Sequence, residues 1–268
     1  MASCSCRWGC KLDLGLEGRV VLVSGSHRGT GLIIAKQFAR EGARVLVHGF
    51  TQEQADAAVE EIGAGIPVSG DITTDAGADE LFAQCARHAD VLDVLVNNYG
   101  TADRGSWTDS NTADWIDAYQ KNVLSAQRLI QRALPAMRRR ASGRIINLGT
   151  VGSTQPNARS PHYYAAKGAL ATMTVSLAKE LAGTGIRVNL VSPGLILTPE
   201  VEAGFMRRAN PGERWEDVEP RVASEIPIRR IPRREEVADF VVFLASARAD
   251  AIHGQNLRID GGALGTLT

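Results

Sequence analysis

Two side chains with complementary chemistry, Tyr163 and Lys167, lie four residues apart in the segment YYAAK. On a helix this spacing places both side chains on one face, so that a phenol and an ammonium become neighbours. A tyrosine titrates at about pH 10, and a nearby positive charge lowers that pKa by favouring the tyrosinate. We therefore predict that Tyr163 exchanges a proton with an oxygen of a bound molecule. Tyr164 also shares a helix face with Lys167 and is the alternative on spacing alone.

A glycine-rich turn offers a different kind of chemistry. The stretch SGSHRGTG, residues 24–31, follows the apolar run RVVLV and precedes a helical pattern. Gly25, Gly29 and Gly31 would let the backbone approach a phosphate closely, and the helix N-terminus beyond them offers free N–H groups and a positive dipole end. A plain tight turn is the alternative, because many strand-to-helix turns are rich in glycine.

Short apolar runs alternate with helical patterns along the whole chain, and these elements must position the two motifs. Runs of Val, Ile and Leu without polar alternation are typical of strands buried on both faces. The alternation predicts an α/β fold: a doubly wound, mostly parallel seven-stranded sheet, or Rossmann fold, in a single domain. The strand-like runs span residues 19–25, 43–49, 66–71, 91–98, 143–149, 186–192 and 256–262.

The composition argues against several classes of partner. The 268 residues include 30 Lys+Arg and 30 Asp+Glu, so the formal net charge is zero and nothing favours nucleic acid or an anionic membrane. No apolar run reaches membrane-spanning length, and the N-terminus lacks the apolar centre of a secretory signal. We expect a cytoplasmic protein whose partner is a small molecule.

Two segments stand outside the alternating pattern. Residues 1–15 contain Cys4, Cys6 and Cys10, whose C-x-C-x3-C spacing lacks a fourth ligand, so we predict a disordered tail and no metal site. Residues 199–232 are polar and punctuated by prolines, and a long irregular stretch in a compact domain is often functional. We predict one domain over residues 16–268, with a lid over the substrate at about 199–232.

Six sequence features, in register from about Leu16 to Gly262, resemble the short-chain dehydrogenase/reductase family. The resemblance implies an oxidoreductase that moves a hydride between a nicotinamide cofactor and a carbonyl or secondary alcohol, similar to 3-oxoacyl carrier-protein reductases. The features are SGSHRGTG, NNYG at 97–100, Asn122 in KNVLSAQRLI, GRIINLGTVGS at 143–153 followed by YYAAK, SPGLILT at 192–198, and LRIDGG at 257–262.

The resemblance also implies roles for single residues. Tyr163 would be the acid/base, and Lys167 together with the positive nicotinamide of the oxidised cofactor would lower its pKa. Lys167 would also bind the nicotinamide ribose. Asn122 would hold a water that links the lysine to solvent. Thr150 stands where the family usually has a serine, so its hydroxyl would polarise the substrate oxygen. If its stiff χ1 angle turned the methyl group toward the substrate instead, that donor would be lost.

By the same resemblance, the cofactor would lie along the carboxyl edge of the sheet. Asp71 is similar to the adenine contact of the family. Tyr99 replaces an alanine that is usual there, so its ring must either stack or swing away. The candidate cofactor contacts are Gly25, Arg28, Gly29, Thr30, Gly31, His48, Asp71, Ile72, Asn98, Gly100, Tyr163, Lys167, Pro193, Gly194, Ile196 and Thr198.

The end of the second predicted strand bears on the choice of cofactor. Enzymes that use NAD usually carry an Asp or Glu there to bind the ribose 2′-hydroxyl. This chain reads His48-Gly49-Phe50 instead, and no carboxylate follows until Glu53. Arg28, inside the glycine turn, is placed to pair with a 2′-phosphate through charge-assisted hydrogen bonds. We therefore predict NADP(H) in preference to NAD(H).

Two readings remain open at this point. The first is an active reductase or dehydrogenase. The second is a regulatory or scaffold protein of the same fold with weakened catalysis, because Thr150 and Tyr99 depart from the family pattern. The resemblance further implies a homo-oligomer, either a tetramer or a dimer.

Overall fold

Within residues 13–265, which the computed structural model describes, the seven predicted strand runs all contribute to one sheet. The strand order is β3-β2-β1-β4-β5-β6-β7, and every neighbouring pair is parallel. The prediction of a doubly wound, seven-stranded sheet is therefore confirmed. The strands are β1 Val20–Val23, β2 Arg44–Gly49, β3 Ile66–Ser69, β4 Val94–Asn97, β5 Gly143–Leu148, β6 Ile186–Pro193 and β7 Asn256–Ile259.

Helices connect the strands and cover both faces of the sheet. Alternate residues of β1 show how one strand serves two hydrophobic layers, because successive side chains point to opposite faces. Val21 and Val23 pack in a cluster with α1 and α9, whereas Val20 and Leu22 pack in a cluster with α3 and α5. The helices are α1 Gly29–Arg40, α2 Gln52–Ile62, α3 Asp75–Cys85, α4 Thr112–Tyr119, α5 Ser125–Arg140, α6 Pro161–Glu180, α7 Pro199–Met206, α8 Trp215–Ala223 and α9 Arg234–Ala245.

The strand order reverses between β1 and β4, which pair with each other in the centre of the sheet. In doubly wound sheets the crossovers diverge at such a point and leave a crevice at the carboxyl ends of the strands. The glycine turn follows β1, and the NNYG segment spans the end of β4. The topology therefore brings both motifs to the two sides of one crevice.

The segment 199–232, predicted as a largely irregular lid, contains the two short helices α7 and α8. Pro199 occupies the first turn of α7, where a proline is compatible with a helix, and the Thr198 hydroxyl caps this helix by accepting from the N–H of Val201. Trp215 of α8 packs against the buried Ile226 and Ile231. These contacts make the segment a packed helical pair beside the crevice.

The N-terminal boundary differs from the predicted one. Leu14, which the sequence places in the tail, packs against the core cluster that includes the buried Leu16. The carbonyl oxygen of Asp13 accepts a hydrogen bond from Arg248. Cys4, Cys6 and Cys10 lie outside the described residues. Across residues 13–265, no helix combines the length and the apolar character that crossing a membrane requires.

Candidate active site

A cavity of about 660 Å³ opens at the carboxyl edge of the sheet. Its walls come from segments that follow β4, β5 and β6, together with the first turns of α1, α6 and α7. Tyr163, Lys167 and Thr150, predicted from three separate positions in the sequence, line it together. The predicted cofactor contacts that also line it are Thr30, Asn98, Gly100, Pro193, Gly194 and Ile196.

Lys167 lies at the bottom of this cavity and is only 4% exposed. Its ammonium donates a hydrogen bond of 2.8 Å to the carbonyl oxygen of Leu148, the last residue of β5. The same nitrogen lies 6.0 Å from the centre of the Tyr163 ring. Burial lowers the pKa of Lys167 to about 8. The amine therefore stays mainly protonated at neutral pH but titrates just above it.

Burial also shifts the pKa of the Tyr163 hydroxyl. Loss of hydration raises the pKa of Tyr163 to about 12, the neighbouring Tyr164 adds to the rise, and a hydrogen bond from Thr150 opposes it. The lowering predicted from Lys167 together with an oxidised nicotinamide concerns the complex with cofactor and stays a prediction. In the protein by itself, desolvation of the phenol is the largest cause of the shift.

Thr150 begins the turn that follows β5, in an extended backbone conformation. Its Oγ1 accepts a hydrogen bond of 3.2 Å from the N–H of Gly152 and also hydrogen-bonds to Tyr163. Thr150 lines the cavity together with Tyr163, and its hydroxyl lowers the pKa of that phenol. The threonine thus keeps a hydroxyl beside Tyr163 where the sequence left this open.

Asn122 lies in a π-helical turn, Gln120–Leu124, between α4 and α5, and such turns are frequent at functional sites. Its amide nitrogen donates to the carbonyl oxygens of Thr101 and Ala118, each over 3.0 Å. Its Oδ1 is buried and has no hydrogen-bond partner among residues 13–265. A Cβ atom on Gly100 would overlap this oxygen and lie 3.0 Å from Lys167 Nζ. Gly100 therefore leaves a space between an unpaired acceptor and an ammonium.

The glycine turn packs closely against its neighbours, which leaves no room for side chains at two of its glycines. Gly25 has a positive φ of 63°, and a Cβ on Gly31 would overlap the Asn98 amide and lie 2.6 Å from the Gly25 carbonyl oxygen. The Asn98 amide donates to the carbonyl oxygens of Ser24 and Gly25. Helix α1 begins at Gly29 with no side-chain cap from the described part of the chain. Its first N–H groups are thus free for an anion.

Three comparisons with known proteins bear on this geometry. The chain matches the family model described as enoyl-(acyl carrier protein) reductase over residues 25–263. It is 34% identical over 263 residues to YvaG, an uncharacterized oxidoreductase of Bacillus subtilis, covering 94% of this chain and 98% of that one. It is 32% identical over 250 residues to the 3-oxoacyl-[acyl-carrier-protein] reductase FabG of Escherichia coli, covering 93% and 98%.

A solved structure gives the same result. L-sorbose reductase from Gluconobacter frateurii, complexed with NADPH and L-sorbose, superimposes with a TM-score of 0.88 at 34% identity and covers 96% of this chain and 100% of that one. The chain belongs to the short-chain dehydrogenase/reductase family. This short-chain dehydrogenase/reductase is accordingly an oxidoreductase.

In this short-chain dehydrogenase/reductase, His48 does not lie where the sequence predicts it. Its ring is fully buried, with Nδ1 accepting from the N–H of Gly25 and Nε2 donating to the carbonyl oxygen of Gly70, each over 2.9 Å. Burial lowers the pKa of His48 to about 4, so the ring is neutral. His48 therefore supports the glycine turn from behind and is not exposed to contact a cofactor.

Four other predicted cofactor contacts do not line the cavity. Arg28 is exposed at the start of α1, and Asp71 is exposed and accepts from the N–H and hydroxyl of Thr73. The Ile72 side chain is fully buried in the core, which leaves only its backbone to face a ligand. The Thr198 hydroxyl caps α7.

The ring of Tyr99 answers the question that the sequence raised. It packs against Phe50 with ring centres 4.8 Å apart, and Phe50 in turn contacts the rings of His48 and His27. Gly25 lies beneath it, because a Cβ there would be 3.1 Å from the Tyr99 Cβ. This aromatic cluster borders the glycine turn of the short-chain dehydrogenase/reductase. Phe50 and His27 were not predicted as site residues, although both adjoin predicted positions.

The rival tyrosine, Tyr164, also lines the cavity, but its hydroxyl accepts a hydrogen bond of 2.8 Å from the Asn157 amide. Gln155 and Asn157, in the turn after β5, and Val201, on α7, are further lining residues that the sequence analysis did not name. Their signal was only positional, since all three lie in segments adjoining the predicted site.

Proposed function

We propose that this short-chain dehydrogenase/reductase transfers a hydride between NADP(H) and a carbonyl or secondary alcohol substrate, with Tyr163 as acid/base. The observation that carries the proposal is the convergence of three groups on one cavity: the Tyr163 phenol, the Thr150 hydroxyl bonded to it, and the buried Lys167 ammonium. The relatives named as an oxoacyl reductase and a sorbose reductase support the same class of reaction.

The protonation states of these groups favour reduction at neutral pH. With a pKa of about 12, the Tyr163 phenol carries its proton and is ready to donate it to a substrate oxygen. The Thr150 hydroxyl has a single proton, and by donating it to Tyr163 it stabilises the phenolate that forms after proton transfer. Bound NADPH would supply the hydride. The Lys167 ammonium stabilises the negative charge that remains on the Tyr163 oxygen after proton transfer.

The space beside Gly100 supports a route for replacing that proton. Asn122 Oδ1 and Lys167 Nζ border the space from two sides, and the oxygen has no partner in the described part of the chain. A water, or a ribose hydroxyl of the cofactor, has the donor that the unpaired oxygen needs and the acceptor that the ammonium needs. These residues therefore fit a nicotinamide ribose and a proton relay at this place.

The choice of NADP(H) rests on charge at the glycine turn. Exposed Arg28 lies directly before α1, whose first N–H groups are free. Strand β2 ends at Gly49 and Phe50 follows it, so no carboxylate stands there to repel a 2′-phosphate. The sorbose reductase with a similar fold is complexed with NADPH. A regulatory role with weakened catalysis gains no support from Thr150, because its hydroxyl faces Tyr163.

The test is a steady-state assay of carbonyl reduction with NADPH and with NADH over a panel of aldehydes, ketones and oxo-sugars. We expect turnover of at least one class and a higher kcat/KM for NADPH. Equal kcat/KM values for the two cofactors would contradict the cofactor proposal, and no turnover of any carbonyl or alcohol would contradict the reaction. The homo-oligomer, dimer or tetramer, and the cytoplasmic location stay predictions, for light scattering and cell fractionation to check.

A further inference from the structure

Another cavity, of about 460 Å³, adjoins the active-site cavity, and we call it the tryptophan cavity. Its walls are mainly apolar. Gly152, Asn157 and Tyr164 line both cavities, so the two meet at these residues. The side chains that define the tryptophan cavity are Trp107, Trp115, Pro156, Pro161, Tyr164 and Ala165.

The Tyr164 ring is fixed at the junction of the two cavities. A Cβ on Gly152 would overlap the ring, so the glycine allows the ring to lie directly on the backbone. The Asn157 amide holds the hydroxyl over 2.8 Å, and the ring centre lies 5.3 Å from that of Tyr163. A substrate whose carbonyl oxygen meets Tyr163 therefore has the tryptophan cavity directly beside it.

The walls of this cavity suit an apolar group better than a sugar. Trp107 is 74% exposed, although its ring lies only 5.3 Å from that of Trp115, and large exposed apolar side chains mark binding surfaces. The polar groups nearby already have partners within the protein. Ser153 donates its hydroxyl proton to the carbonyl oxygen of Thr150, and the Asn157 Oδ1 accepts from the N–H of Arg159. Sugar hydroxyls would find few free partners here.

Gly168, on α6, keeps the cavity open on a further side. Apart from its chain neighbours and the backbone of α6 itself, no atom of the described chain lies within 4 Å of the position that a Cβ would take on this residue. Glycine inside a helix lowers helix stability relative to alanine, so nothing local favours it there. A larger side chain at this position would project into the tryptophan cavity without meeting protein atoms at its Cβ.

We propose that the tryptophan cavity binds the apolar arm of the carbonyl substrate, an aryl group or a short alkyl chain. Trp107 and Gly168 would then determine substrate specificity, the first by offering its indole face and the second by leaving room. This inference rests on the proposed function, because it assigns a substrate class to the same active site. It makes aryl-alkyl ketones better substrates than small ketones or sugars.

The experiment compares 4-phenyl-2-butanone with 2-butanone, which differ by one phenyl group. In Gly168→Leu and in Trp107→Ala we expect the ratio of kcat/KM for the two ketones to fall about tenfold, mainly through the phenyl ketone. Ile116→Ala, which removes another exposed apolar side chain on α4, is the matched control and should leave the ratio unchanged. A ratio that stays constant in both test variants would overturn the inference.

Two further measurements separate this inference from the proposed function. Binding of 4-phenyl-2-butanol, followed by tryptophan fluorescence without turnover, should weaken in Gly168→Leu and persist in Ile116→Ala. If binding follows this pattern but the wild type reduces no carbonyl, the proposed function is overturned, whereas the cavity is supported as an apolar binding site. If Trp107→Ala leaves the ratio unchanged and alters the molar mass measured by light scattering, the inference is overturned, because Trp107 is then a subunit contact.

Discussion

The N–H of Gly25 donates to Nδ1 of His48 over 2.9 Å, which joins the first glycine of the turn to a buried, neutral imidazole. Protonation of His48 would place a proton on the acceptor nitrogen and break this bond. The glycine turn is therefore coupled to the charge state of one histidine that a ligand cannot reach.

This coupling predicts a loss of stability in acid. The pKa of His48 is about 4 in the folded protein and about 6.5 when exposed, so the unfolded chain binds more protons between these values. The contribution of the neutral His48 ring to the free energy of unfolding is then fully present above about pH 6.5. This contribution falls by about 3 kcal/mol as the pH drops to about 4. Urea unfolding at several pH values should show this slope in the wild type and a shallower one in His48→Asn.

Exposed His88 offers the matched control for that measurement. His88→Asn should follow the wild-type dependence on pH, because this substitution leaves His48 and its bond to Gly25 in place. Identical slopes for wild type and His48→Asn would contradict the prediction.

The Tyr163 phenol should be required for turnover, whereas the Tyr164 hydroxyl should not. Removal of a general acid costs about 10²–10⁴-fold in rate, so we expect a loss of that order in kcat for Tyr163→Phe. Tyr164→Phe, the neighbouring control, loses only its bond to Asn157 and should stay within a few fold of the wild type. Comparable losses in the two variants would argue against the assignment of the acid/base.

Thr150 should act through its hydroxyl and not through its shape. Thr150→Val keeps the size of the side chain but removes the bond to Tyr163, and the loss of one such donor costs about 2.7–4 kcal/mol, or about 10²–10³-fold in kcat. Thr150→Ser restores a hydroxyl and should retain most of the wild-type rate. Full activity of the valine variant would show that the hydroxyl has no role.

Arg28 should distinguish the two cofactors. Hydrogen bonds to a charged group contribute about 1.5–3 kcal/mol, so Arg28→Ala should weaken NADPH binding about tenfold or more and leave NADH binding almost unchanged. Calorimetric titration with each cofactor measures this directly. Arg40→Ala, at the opposite end of α1, is the control and should affect neither affinity. An equal loss of affinity for both cofactors would show that Arg28 does not contact the 2′-phosphate.

Some features were predictable because they depend on local sequence. The strands could be identified from continuous apolar runs, since parallel strands are buried on both faces. Tyr163 and Lys167 could be paired because helical spacing determines which side chains share a face. The predicted strands were longer than the observed ones at several ends, where glycine and polar residues leave the ladder.

Other features depend on packing that spacing does not reveal. His48 was placed at the cofactor because its position ends a strand, but strand alternation does not say which layer a side chain enters. The burial that raises the pKa of Tyr163 in the protein by itself could not be predicted, because the extent of burial is a tertiary property. Trp107 lies in the irregular segment before α4, which carries no periodic signal, so its place in one cavity wall with Trp115 and Tyr164 could not be predicted.

The π-helical turn Gln120–Leu124 has a consequence for the evolution of chain length here. A π-turn contains one residue more than the α-helical turn it replaces, so deleting a residue within it would restore a regular α-helical turn. Each residue of an α-helix turns the chain by about 100°, and α4 would therefore rotate by that angle relative to α5. Asn122 would then move away from Gly100, and Trp115 would move away from the wall of the tryptophan cavity. We therefore expect this segment to tolerate substitutions far better than insertions or deletions.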